Sequence, residues 1–143
     1  MKSSDMVKII INNEEIEVDS MITELISYLN NEAGIETLYS CAGWHEDFHD
    51  NAGYILFKYS PETMNLLNNM VLFLNPQISV DGKVYNVQLL SSISNVVHRN
   101  IGREYDLVLR FSILDIDIKK TGHQKLKKIY KILFERILNY FKQ

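Results

Sequence analysis

The chain has 143 residues, 46% of them hydrophobic and 23% charged, with a formal net charge of −3. That length supports one domain with a real core (residues 1–143) and is short for two. A single cysteine excludes an internal disulfide, and no run of eighteen apolar residues is present to span a bilayer.

The elements follow in chain order. Met6 to Ile11 is apolar and β-branched, Asn12-Asn13 supplies a turn, and Glu15 to Val18 alternates. This predicts a β-hairpin, because asparagine tolerates positive φ. Asp19 or Ser20 can cap a helix whose stripe is Ile22, Leu25, Ile26, Leu29 and Ala33, with Gly34 as its C-terminal stop. Ile35 to Ser40 and Tyr54 to Tyr59 read as strands. Ser60-Pro61-Glu62 starts a second helix with a serine cap, a proline at the first position and an early acid. Its stripe is Met64, Leu67, Val71 and Leu74, widened by Leu66, Met70 and Phe73, and Asn75-Pro76 ends it. Asp81-Gly82 between Ile78–Val80 and Val84–Val87 predicts a second hairpin, and the strand pattern runs on to Val97. After a turn at Asn100-Ile101-Gly102, Arg103 to Leu114 alternates, with Leu107, Leu109, Phe111 and Ile113 on one side. From Thr121 onward, Leu126, Ile129, Tyr130, Leu133, Phe134, Ile137, Leu138 and Phe141 mark a long amphipathic helix. Hairpins outnumber crossovers, so the predicted class is α+β. The expected sheet is antiparallel or mixed, with about three helices packed mainly on one face.

Reactive residues concentrate in Y-S-C-A-G-W-H-E-D-F-H-D-N-A-G-Y, residues 39–54. His45-Glu46-Asp47-Phe48-His49 is an H-E-x-x-H sequence. On a helix this spacing puts two imidazoles on one Zn²⁺ and a glutamate on the metal-bound water. Gly43 and the run Asp50 to Gly53 leave room for only about a turn and a half of helix, and no E-x-x-x-D follows. Loop-borne C-x3-H-x3-H ligation fits the context better. Cys41, His45 and His49 are then the candidate zinc ligands, with Asp47, Asp50, His98 or His123 to close the shell and Glu46 as general base. A thiol enzyme would use Cys41 as nucleophile with His45 or His49 as base. The opposing reading is a polar hairpin loop around a buried cysteine.

The run T-L-Y-S-C-A-G-W, a short polar loop, then A-G-Y-I-L-F resembles a pattern in small proteins of bacteriophages and low-GC Gram-positive bacteria. Ser40, Cys41, Gly43, Tyr54, Ile55 and Phe57 carry the match, over roughly residues 20–60. The same segment is similar to the S-x-C-S-G-R motif of the wybutosine-synthesis methyltransferase family, which acts on transfer RNA. Ala42 and Trp44 stand in place of that motif's second serine and arginine, and Ser40 lies one place closer to the cysteine. What this resemblance implies is a ligand-facing S-C-x-G turn of Ser40 and Cys41, with Trp44 available to stack on a ring.

Charge is unevenly divided. Residues 1–118 hold 7 Lys/Arg and 17 Asp/Glu (−10), and residues 119–143 hold 8 Lys/Arg and one Asp/Glu (+7). Lys120, Lys125, Lys127, Lys128 and Lys131 are therefore candidate phosphate contacts for a nucleic acid, against the alternative of a solvated helix face that complements the acidic remainder. Gly-rich phosphate loops and G-x-S-x-G are missing from the sequence. The leading expectation is a small cytoplasmic binding or interaction module for a small molecule or protein, with no membrane partner and with homodimerisation open. A zinc or thiol hydrolase and a nucleic-acid binder are the alternatives.

Overall fold

A computed structural model describes residues 6–11, 13–41, 52–96, 104–114 and 116–143. β1 (Met6–Ile11) and β2 (Glu14–Asp19) form an antiparallel hairpin, and Asn13 takes the positive φ of 70° that its turn requires. The Asp19 carboxylate caps a 3₁₀ turn (Ser20–Ile22), accepting from the Met21 N–H at 3.2 Å, before α1 (Thr23–Asn31) begins. The expected helix start is thus displaced by one 3₁₀ turn. α1 ends at Asn31 with Glu32 as its C-cap, two residues before the expected stop at Gly34, which takes the left-handed φ of 69° where the chain turns toward the next strand.

β3 (Thr37–Cys41), β4 (Ala52–Lys58), β5 (Gln77–Val80), β6 (Lys83–Val96) and β7 (Glu104–Ile113) build one sheet in the order β3-β4-β7-β6-β5. Every neighbouring pair among these strands is antiparallel. Asp81 and Gly82, at φ 53° and 79°, make the tight turn between β5 and β6.

Register sets the covered face. Phe57 pairs with Leu107, Ile55 with Leu109, Phe111 with Leu89, and Ile113 with Val87. All eight side chains are buried, in one hydrophobic cluster with Leu25, Ile26 and Leu29 of α1, Leu67 and Met70 of α2 (Pro61–Phe73), and the inner stripe of α4 (His123–Lys142). The helices therefore pack on one face of the antiparallel sheet, an α+β arrangement. On α4, Leu126, Tyr130, Leu133 and Ile137 are buried as the spacing predicts. Burial of each contributes roughly 1.5–3 kcal/mol.

Two details depart from the sequence reading. A one-turn helix, α3 (Ile118–Thr121), precedes α4, separated from it by Gly122 at φ 81°. On α2 the inward line is Thr63, Leu67 and Met70, while Leu66 is 40% exposed and Phe73 is 76% exposed, so neither widens the buried stripe. The Ser60 cap fixes that phase. Its Oγ accepts from the Thr63 N–H at 3.0 Å and donates to the Thr63 Oγ1 at 2.9 Å. Ser60→Ala is expected to cost about 1 kcal/mol, read as a lower urea midpoint. Ser60→Asp, which keeps the acceptor, should retain most of the stability. Equal midpoints for wild type and Ser60→Ala would show that the cap contributes nothing.

Candidate functional site

Strand alternation gives the sheet a second face, which α1, α2 and α4 do not cover. Its rows follow from the register. Tyr54, Arg110 and Leu90 lie side by side on β4, β7 and β6. Leu56, Val108 and Ser92 form the next row in one direction, and Ser112 and Gln88 lie in the other. Leu90 is 50% exposed and Arg110 is exposed, while Tyr54, Leu56 and Ser112 are half-buried. Val108 is buried here but stands outside the helix-covered cluster. No carboxylate among the described residues pairs with Arg110. A guanidinium between a phenol ring and an exposed leucine can take a carboxylate or phosphate in two parallel hydrogen bonds, with apolar surface on both sides.

The expected site residues relate to this face in different ways. Ser40 and Cys41 are the last two residues of β3, an edge strand of the sheet. Ser40 pairs with the core residue Ile55, and Cys41 with Tyr54. β3 stops and β4 starts at the end of the sheet marked by Ser112 and Gln88, since Ala52 pairs with Ser112. Trp44, His45, Glu46, Asp47, His49, Asp50 and His98 lie outside the described residues, as does the turn at Asn100-Ile101-Gly102. Among the described residues, no three of His, Cys, Asp and Glu gather as a metal-binding group.

The C-terminal lysines divide. Lys125 and Lys128 reach the Asp81 carboxylate at 3.8 and 4.0 Å. Lys127 and Lys131 border a cleft of about 280 Å³ between the start of α1 and α4, whose rim also carries Glu24 and Glu135. Lys120 shares a different cavity with Lys83, a residue the sequence reading left out. Lysine and carboxylate alternate across these surfaces, in keeping with a helix face that complements the protein's own acids. Among the described residues, no helix is long and apolar enough to cross a membrane.

No family model, curated protein or solved structure matches the chain.

Proposed function

We propose that the chain is a binding module whose ligand lies on the sheet face opposite α1, α2 and α4. The ligand carries a carboxylate or phosphate on an apolar or aromatic body. The row Tyr54–Arg110–Leu90 carries this reading: an exposed cation on the central strand of a five-stranded sheet, flanked by apolar surface. In this reading Ser40 and Cys41, the last residues of β3, border the same end of the sheet.

Benzoate and phenyl phosphate are suitable probes in an amide NMR titration. Expected are shifts centred on Tyr54, Leu90 and Arg110, and a loss of affinity of about 10- to 100-fold in Arg110→Gln. That is the worth of a charged hydrogen-bond pair, roughly 1.5–3 kcal/mol. Shifts confined to other surfaces, or equal binding by Arg110→Gln, would sink the proposal.

The zinc alternative has its own measurement. The binding-module reading expects elemental analysis of untagged protein to give less than about a tenth of an equivalent of zinc, with no affinity on titration. Near-stoichiometric zinc, lost in His45→Ala and His49→Ala, would instead assign Cys41, His45 and His49 as ligands, with Glu46 as the candidate base.

A further inference from the structure

The cavity shared by Lys83 and Lys120 has a volume of about 240 Å³ and is also lined by Val84, Leu114, Ile116 and Asp117. Two of its apolar side chains are exposed, Val84 at 53% and Leu114 at 43%. Lys83 and Lys120 are exposed, and Lys125 and Lys128 stand beside Asp81, two residues before Lys83. The adjoining α4 has no acidic residue in its first turn. The positive end of its backbone dipole is therefore reinforced by lysines where a carboxylate would ordinarily be favoured. This corner is an apolar groove with a cationic rim.

The complementary surface is on the same chain. On the β1–β2 hairpin, Ile10 is 64% exposed and pairs with Glu15, and Glu17 shares their face of the hairpin; both glutamates are exposed. Among the described residues, Lys8 pairs with Glu15 at 3.9 Å, which offsets this charge only in part. The hairpin is an apolar knob among carboxylates. Its tip lies beside the end of α1, where the Asn31 Nδ2 donates to the Ile10 carbonyl at 3.0 Å. The Tyr28 ring of α1 in turn sits 5.4 Å from the Nζ of Lys142, at the far end of α4. The groove is at the beginning of α4, beside Asp81. The two surfaces therefore occupy opposite ends of a 20-residue helix, about 30 Å long, so the hairpin of a chain does not reach that chain's own groove.

We propose that the groove receives the acidic β1–β2 hairpin of a second copy of this chain, with Ile10 against Val84 and Leu114 and the glutamates against Lys83 and Lys120. The proposal goes beyond the ligand face above and shares no residue with Tyr54, Arg110 and Leu90. Such a contact is heterologous: each copy uses a head on one neighbour and a tail on the next, so assembly continues until a ring closes or a filament grows. A second copy suits the groove better than a nucleic acid does. Asp81 and Asp117 lie within the lysine set, and Val84 and Leu114 offer nothing to a phosphate. The −10 charge of residues 1–118 repels a polyanion.

Sedimentation velocity on the full chain tests this, at about 0.02 M and about 0.5 M salt. Expected at low salt is a weight-average mass that rises with protein concentration past the dimer, and at high salt a return to monomer. Two neutralising variants on exposed positions separate the two surfaces: Lys83→Gln with Lys120→Gln, and Glu15→Gln with Glu17→Gln. Each alone should remain monomeric, with an unchanged circular dichroism spectrum. Mixed in equal amounts they should form a one-to-one pair and nothing larger, because each supplies the half that the other lacks. Arg110→Gln should assemble like wild type, which keeps this test separate from that of the ligand face. A wild-type chain that is monomeric at every concentration overturns the proposal, as does assembly indifferent to both variants or failure of the mixture to pair. If wild type stays monomeric but retains a single-stranded oligonucleotide that the lysine variant loses, the groove belongs to a polyanion instead.

Discussion

Phe111→Ala is expected to lower stability by about 3–5 kcal/mol, the range for removing a buried phenyl ring. Phe111 is 1% exposed on β7, the central strand, and pairs with Leu89 of β6. From the helix layer, the Tyr130 ring approaches it at 5.9 Å and the Phe134 ring at 5.3 Å, both edge-on, at 64° and 81°. Tyr130 and Phe134 also stack on each other at 6.0 Å. Removing the Phe111 ring strips one partner from both contacts and opens a cavity that neither the sheet nor α4 can easily close. A chain of this length has a total stability of about 7–20 kcal/mol, so the loss is a large share of it. Urea denaturation followed by circular dichroism gives the value. Leu90→Ala, on the other face and half exposed, is the control and should cost far less. A loss under about 1 kcal/mol for Phe111→Ala would mean that α4 does not pack on β7 as described.

Local chemistry made most of the elements legible. Asp81-Gly82 needs positive φ at both positions and has it, and Ser60-Pro61-Glu62 caps and starts α2. The alternation of Leu107, Leu109, Phe111 and Ile113 fixed their shared face. Alternation assigns a strand's faces but not its neighbours, however. β7 inserts between β4 and β6, so the sheet order depends on pairings distant in sequence. The phase of α2 was hard to read for another reason. Leu66, Leu67, Met70, Val71, Leu72 and Phe73 make the helix apolar almost all round, and the buried line passes through Thr63, which the pattern of hydrophobes does not reveal.

The candidate site divides along the same boundary. The segment around Cys41 stands out by composition alone, because one cysteine, one tryptophan and two histidines are close in sequence. Tyr54, Arg110 and Leu90 do not stand out. They are 56 and 20 residues apart in sequence and become neighbours only through the register of three strands. The lysines show the converse. They read as one block in sequence, whereas the fold sends Lys125 and Lys128 toward Asp81, Lys127 and Lys131 toward α1, and Lys120 toward Lys83.

Asn30→Ala should be the most damaging polar substitution of those considered, at about 2–3 kcal/mol. Asn30 is 6% exposed at the end of α1. Its Nδ2 donates to the Ile26 carbonyl and to the Thr37 Oγ1, each at 2.8 Å, and its Oδ1 accepts from the Thr37 N–H at 3.0 Å. One side chain thus fastens the last turn of α1 to the first residue of β3, the strand that ends at Cys41. Alanine leaves the Thr37 N–H and Oγ1 with no partner from α1. A stranded buried polar group costs more than a satisfied hydrogen bond contributes, about 1–3 kcal/mol. Thr37→Val removes only the hydroxyl and should cost about 1 kcal/mol. Because the two residues form one unit, the double variant should lose less than the sum, with a coupling of about 0.5–3 kcal/mol. Amide hydrogen exchange in Asn30→Ala should show lost protection along β3 first, since its start is untied while β4 and β7 keep their pairing. Additive losses, or β3 amides as protected as in wild type, would mean that Asn30 does not hold the edge strand and that the end of the sheet near Cys41 is positioned by other contacts.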